Sequence, residues 1–90
     1  HADRDISMLV SPEVRYEDIV QTITQTHKKL IQSVRLFDVY HDPKTNQTSY
    51  ALTIRFLDTD KTLDEPTLTK AFSRVLDRLD QLPGVKVRRE

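Results

Sequence analysis

Apolar and polar positions alternate along RDISMLV, residues 4–10. A period of two is typical of a β-strand with one covered face, and the Ser-Pro pair that follows is expected to end the strand. From Tyr16 to about His27, apolar residues instead recur at helical spacing, and two acids stand in the first turn, where the helix dipole favours them. The chain therefore predicts a strand followed by a helix.

Two further β-rich runs surround a short polar turn. SVRLFDVYH, residues 33–41, is rich in β-branched and aromatic residues, and TSYALTIRF, residues 48–56, alternates apolar with small or polar side chains. The segment DPKTNQ between them contains Pro43 and the turn-tolerant Asn46, as expected of a hairpin loop. The pattern predicts two antiparallel strands.

The strongest periodic signal lies in the last third of the chain. One apolar stripe at helical spacing comprises Leu68, Ala71, Phe72, Val75, Leu76, Leu79 and Leu82. Phe72 lies in the middle of the stripe and is expected to be central in the core. Thr62 with Glu65 could form a capping box, but Pro66 fits better in the first turn of a helix capped by Asp64. The prediction favours Asp64 as the cap.

The remaining signals complete the order β-α-β-β-α-β. Pro83 and Gly84 are expected to end the second helix, and VKVRR, residues 85–89, alternates as a last strand. Right-handed crossovers and the central hairpin then give an α+β fold with a four-stranded antiparallel sheet in the order 4-1-3-2. Both helices cover one face. The prediction is a ferredoxin-like sandwich, with one domain over residues 1–90 and an open sheet face.

Alternation assigns the side chains of three strands to the two faces of the sheet. The inward positions are Ile6, Met8, Val10, Tyr50, Leu52, Ile54, Phe56, Val85 and Val87. The outward positions are Asp5, Ser7, Leu9, Ser49, Ala51, Thr53, Arg55, Lys86 and Arg88. The open face is therefore expected to be polar, with cations near its edges.

On the second strand, Asp38 decides which side chains face inward and which face outward. Asp38 would pay a large desolvation cost against the core, so it is expected to face outward together with Tyr40. The inward positions are then Phe37 and Val39. Strict alternation would also turn Val34 and Leu36 outward, and a β-bulge near Leu36 is one arrangement that would keep them inside.

Composition excludes several classes of function. Lys plus Arg and Asp plus Glu number 14 each, so no overall charge attracts nucleic acid or anionic lipid. With no Cys, a disulfide framework, a thiolate metal site and a cysteine nucleophile are excluded. No apolar run is long enough for a membrane span, which favours a soluble protein. The opening HADRD has no initiator Met, and we expect the chain to be a fragment of a longer one.

A carboxylate, an aromatic ring and a hydroxyl share the outer side of the predicted hairpin: Asp38, Tyr40 and Ser49. Further polar groups lie along the sheet and at its opposite edge, namely Thr53, Arg55, Lys86 and Arg88. This combination suits an unstacked nucleic-acid base, which needs a stacking surface and partners for its Watson–Crick edge. From the pattern alone, the favoured interpretation is that Tyr40 only shields an edge strand beside a solvated charged face.

Other functions find weaker support. His41 with two neighbouring acids could be imagined as a metal site, but solvated turn residues are favoured. Ser49 has no suitable base beside it for a hydrolase, and an acylphosphatase would need a glycine-supported phosphate loop that this chain lacks. The main alternative is a ferredoxin-like ligand-sensing or dimerisation module that uses the open face or an edge strand for protein contact.

The ordered motifs Arg4-Asp5-Ile6, Leu36-Phe-Asp-Val-Tyr40, Ser49 and Lys61-Thr-Leu63 resemble those of a known family. It is the ferredoxin-fold anticodon-binding domain, which ends the beta subunit of bacterial phenylalanyl-tRNA synthetases and the single-chain organellar enzymes. The loop DPKTNQTS is shorter than the glycine-rich bacterial loop, has Gln47 and Thr48 where that loop carries lysines, and is more similar to the organellar one.

The resemblance implies that the domain binds the anticodon stem-loop of tRNA(Phe) and is not itself catalytic. It implies that Asp38 accepts hydrogen bonds from a guanine at the first anticodon position, Tyr40 stacks on that base and Ser49 adds a hydroxyl contact. The further tRNA-binding residues expected are Lys44, Thr53, Arg55, Lys86 and Arg88. No cofactor or metal is expected in this domain. ATP and Mg²⁺ would belong to the rest of the synthetase, in the cytoplasm or, alternatively, in a mitochondrion or plastid.

Overall fold

Six elements follow one another in the predicted order in the computed structural model, which describes residues 2–58 and 63–88. They are β1 (Ala2–Val10), α1 (Tyr16–Thr26), β2 (Ile31–Asp42), β3 (Gln47–Phe56), α2 (Glu65–Asp80) and β4 (Val85–Arg88). The strands of the hairpin are longer than the sequence pattern indicated, and Asn46 takes the positive φ of 61° that closes the turn between them. Lys61 and Thr62 lie outside the described residues.

The four strands form one antiparallel sheet in the order β2-β3-β1-β4. This is the predicted order 4-1-3-2 counted from the other edge, and it confirms the ferredoxin-like sandwich. β3 and β1 occupy the centre, so both faces of the sheet are built mainly on them, while β2 and β4 form the edges.

In the described part of the chain, an apolar core lies between the sheet and the two helices. The sheet contributes Ile6, Met8, Val10, Ile31, Leu52, Ile54, Phe56, Val85 and Val87, and the helices contribute Ile19, Ile23, Leu68, Ala71, Val75 and Leu79. Tyr50 also faces inward, and its ring centroid lies 5.5 Å from that of Tyr16. The stripe predicted a central position for Phe72, and this prediction is wrong. Phe72 is partly buried at the margin of the core, edge-on to Phe56 with ring centroids 6.4 Å apart.

The two ends of α2 are held by specific contacts. The Asp64 side chain accepts a hydrogen bond of 2.9 Å from the Thr67 backbone N–H, which confirms Asp64 as the cap. Beyond the helix, Gly84 adopts a φ of 83° that residues with a Cβ rarely take. The Gly84 carbonyl accepts a 2.8 Å hydrogen bond from the Ser11 N–H, which aligns β4 beside the end of β1.

A β-bulge changes the faces of β2. Leu36 pairs with Leu52 on the core side and Asp38 pairs with Ala51 on the open side, so Phe37 is the extra residue between them. The bulge confirms the alternative that keeps Val34 and Leu36 toward the core. Phe37 and Val39, both expected inside, are 53% and 49% exposed. Phe37 is the bulged residue, and Val39 lies opposite the inward-facing Tyr50 but on the edge strand of the sheet.

Candidate nucleic-acid interface

The open face of the sheet carries its side chains in transverse rows that the strand register sets. We call the row of Tyr40, Ser49, Leu9 and Lys86 the tyrosine row, and the next row, with Asp38, Ala51, Ser7 and Arg88, the aspartate row. Since neighbouring strands lie about 4.8 Å apart, each row spans roughly 14 Å from β2 to β4. Each row therefore begins with a predicted base contact and ends with a predicted cation.

The three residues predicted to contact a base lie together. Tyr40 and Ser49 are direct cross-strand partners, and Asp38 stands two positions from Tyr40 on the same face. Two residues of strand correspond to about 7 Å, which is within the width of a purine and its contacts. Tyr40 is 61% exposed, so one face of its ring is open to a planar ligand.

The carboxylate of Asp38 is available to a ligand. Within the part of the chain that the structure describes, Asp38 makes no side-chain hydrogen bond or ion pair, and neither does the Tyr40 hydroxyl. A carboxylate only accepts hydrogen bonds, so it can receive two neighbouring N–H donors from a ligand. The short side chains of Ala51, Ser7 and Ser49 form the floor beside it, and they leave room for a flat group.

Thr53 and Arg55 lie further along β3 and are engaged with acids on β1. The Thr53 hydroxyl donates a 2.8 Å hydrogen bond to Asp5, and Arg55 donates from Nε and Nη2 to the two carboxylate oxygens of Asp3 at 2.9 and 3.2 Å. These hydrogen bonds are the main reason that the pKa of Asp3 is lowered, and the charges of Arg55 and Arg35 add to the effect. Arg55 is therefore on the predicted face with part of its donor capacity in use.

Arg35 and Ser33 also lie on the open face, and the alternation of β2 did not place them there. The bulge at Phe37 shifts the register, so Arg35 pairs with Thr53 and Ser33 with Arg55. These four side chains and Asp3 line a dent of about 100 Å³, which we call the arginine dent. The available signal was the apolar pair Val34 and Leu36, whose inward placement requires Ser33 and Arg35 to face outward.

The hairpin turn and the far edge supply the remaining predicted cations. Lys44 is exposed in the turn that follows the tyrosine row, and its backbone N–H donates a 2.9 Å hydrogen bond to Asp42. Lys86 and Arg88 are exposed on β4, whose Val87 N–H donates to the Asp80 carboxylate at 3.1 Å. The structure thus brings Asp38, Tyr40 and Ser49 together and distributes the cations around them.

The helical side of the described chain carries a groove of different composition. A groove of about 390 Å³ lies between the end of α1 and α2, where Lys70, Arg74 and His27 stand beside Asp77. Among the described residues, no three His, Asp or Glu side chains are grouped as a metal site would require. None of the described helices is long and apolar enough to cross a membrane.

Comparison with known proteins identifies a family. The model of the ferredoxin-fold anticodon-binding domain matches residues 1–88. The phenylalanine–tRNA ligase beta subunit of Bacteroides fragilis is 31% identical over 87 residues, which are 94% of this chain and 11% of that protein. The beta subunit of Francisella tularensis is 33% identical over 76 residues, or 84% of this chain and 10% of that protein. The chain thus spans about a tenth of the length of these relatives.

Proposed function

The chain belongs to the ferredoxin-fold anticodon-binding domain family, and from this premise we propose that its open sheet face binds the anticodon stem-loop of tRNA(Phe). The observation that carries the proposal is the placement of Tyr40 opposite Ser49, with the unpaired Asp38 carboxylate beside them. An exposed ring offers stacking to any base, and an acceptor at its side adds a choice between bases.

The proposed recognition distinguishes guanine from adenine at the first anticodon position. Guanine presents two neighbouring N–H donors on its Watson–Crick edge, and both can be accepted by Asp38 while the ring stacks on Tyr40. Adenine presents a ring nitrogen acceptor there, which a carboxylate cannot satisfy. Ser49 can donate or accept one further hydrogen bond, so it positions the base rather than selecting it.

The surrounding cations are proposed to contact the RNA backbone. Lys86 and Arg88 end the two rows at the β4 edge, about 14 Å from β2, and Lys44 lies at the hairpin turn. Phosphate contacts at these places would position the stem-loop without selecting its sequence. Thr53 and Arg55 are part of the proposed face, with Arg55 contributing the donors that Asp3 does not use.

The chain is proposed to act as one module of a longer phenylalanine–tRNA ligase. The active site, ATP and Mg²⁺ would belong to other parts of that enzyme, and no catalytic step is assigned to this domain. Phe37 and Val39 are exposed at the β2 edge and suit contact with another domain or subunit of the ligase. We place this function in the cytoplasm, with a mitochondrion or plastid as the alternative.

The test compares Asp38→Ala with the unaltered chain on two anticodon hairpins that differ only in guanine or adenine at the first position. Loss of the carboxylate should weaken binding of the guanine hairpin by about 1 to 3 kcal/mol and change binding of the adenine hairpin little. The dissociation constants can be measured by NMR titration, which records weak binding. The same ratio can be taken from aminoacylation efficiency in a complete ligase that carries the substitution. Equal weakening of both hairpins would contradict base recognition by Asp38.

A further inference from the structure

The arginine dent adjoins the aspartate row on the open face. Its nearest position on β3, Thr53, is two residues from Ala51, and this corresponds to about 7 Å along the strand. That distance is comparable to the spacing of successive nucleotides in an extended single strand. A strand whose base lies at Asp38 and Tyr40 can therefore bring a neighbouring backbone group over the dent.

The side chains of the dent offer donors. Arg35 is exposed, and within the described part of the chain it makes no side-chain hydrogen bond or ion pair. Arg55 uses Nε and Nη2 on Asp3, which leaves N–H groups of its five-donor guanidinium unused. Ser33 adds a hydroxyl beside them. The acids nearby are Asp3 in the dent and Asp38 in the next row of β2, and the charge of Arg35 acts on Asp3 without a hydrogen bond. Against Asp3, the two guanidinium groups of Arg35 and Arg55 leave the lining of the dent with a net positive charge.

The same composition argues for a phosphate group and against a second base. The lining of the dent contains no aromatic or large apolar side chain on which a base could stack. A guanidinium fork matches the oxygen atoms of a phosphodiester, which only accept hydrogen bonds. The position at the β2 edge also leaves the dent open to a strand that passes along the edge.

We propose that the arginine dent binds a phosphodiester next to the nucleotide held at Asp38, Tyr40 and Ser49, with Arg35 as the principal donor. This inference rests on the function proposed above and adds a backbone contact to it. Because a phosphate carries no sequence information, the contact strengthens binding of guanine and adenine hairpins equally. It also adds one ionic contact to the salt dependence of binding.

The experiment titrates the unaltered chain, Arg35→Ala and the control Arg74→Ala with the guanine and adenine hairpins. Arg74 is an exposed arginine of α2 on the other side of the molecule, so its removal makes the same change in net charge. Arg35→Ala should weaken binding of both hairpins by about three- to tenfold, the net contribution of one ordinary hydrogen bond. The log–log salt slope should become shallower by about 0.7. Arg74→Ala should leave both quantities unchanged.

A second measurement changes the RNA instead of the protein. Single phosphodiesters next to the first anticodon nucleotide are replaced in turn by uncharged methylphosphonates. At one position the replacement should weaken binding by the unaltered chain about as much as Arg35→Ala does. The same replacement should not weaken binding by Arg35→Ala any further. This coupling assigns the contact to one phosphate, and the loss measured on the unaltered chain does not depend on the folding of a variant.

The possible results separate the two proposals. If Arg35→Ala and every methylphosphonate leave binding unchanged while Tyr40→Ala weakens it, the dent binds no phosphate and the proposed function stands. If Arg35→Ala weakens only the guanine hairpin, Arg35 contacts a base and the inference is wrong. If the unaltered chain binds neither hairpin, both the proposed function and this inference fail.

Discussion

Arg55 on β3 and Asp3 on β1 lie directly opposite each other and are joined by two hydrogen bonds, Nε to Oδ1 at 2.9 Å and Nη2 to Oδ2 at 3.2 Å. The side chains are 43% and 39% exposed, so solvent screens the pair and its effect on stability is small. Its main consequence is positional, because it orients one guanidinium on the open face and offsets its charge.

The ion pair predicts a specific pH dependence. Its hydrogen bonds lower the folded-state pKa of Asp3 below the usual value of 3.8. The pair therefore stabilises the fold above that value, and the contribution is lost as the pH falls through the folded-state pKa. In urea unfolding, Asp3→Asn should be slightly less stable than the unaltered chain at pH 7, and the two should agree at about pH 2. A difference that stays constant over this range would show that Asp3 acts by another route.

Tyr40 is predicted to contribute stacking that does not select the base. Tyr40→Ala should weaken binding of both the guanine and the adenine hairpin by about 1 to 3 kcal/mol, and their ratio should be preserved. Phe37→Ala is the matched control, because Phe37 is a comparably exposed aromatic residue on the same strand and belongs to neither row. NMR titration should show no loss for the control. Equal losses for both variants would point to a general effect on β2.

Burial predicts unequal roles for two aromatic residues that are in contact. Phe56 is fully buried, so Phe56→Ala should lower the free energy of unfolding by about 3 to 5 kcal/mol. Phe72 is partly buried at the core margin, and Phe72→Ala should cost less, on the order of 1 to 3 kcal/mol. Urea unfolding of both variants measures the order. The reverse order would mean that Phe72 is the more deeply packed ring.

The bulge predicts that the position of a deletion matters. Deleting Phe37 leaves Leu36 opposite Leu52 and Asp38 opposite Ala51, so both keep their faces, and the stability loss should be on the order of 1 kcal/mol. Deleting Val39 should instead place Asp38 opposite Tyr50, toward the helices. Hydrogen exchange of the β2 and β3 amides and the guanine-to-adenine binding ratio can be measured on both. Only the deletion of Val39 should remove the preference for the guanine hairpin over the adenine hairpin.

Several features of this protein were determined by local sequence. The period of two that includes Met8 and Leu52 predicted two central strands and their inward faces, and the stripe that includes Val75 predicted α2. Asp64 was identifiable as a cap because its partner, the Thr67 N–H, lies three residues away. These features depend on backbone geometry and on near neighbours in the chain. The element order then left few ways to join four strands and two helices.

The tertiary structure decided two features of the open face, the placement of Arg35 and the partner of Arg55. The bulge at Phe37 is set by the pairing of β2 with β3, and it places Arg35 on the open face. Strict alternation from Asp38 would have turned Arg35 toward the core. The bond of Arg55 to Asp3 joins residues 52 positions apart, and no local pattern of either strand indicates it. Alternation assigns a side chain to a face only while the ladder is regular. Register and cross-strand partners depend on contacts between distant segments, and these form when the sheet assembles.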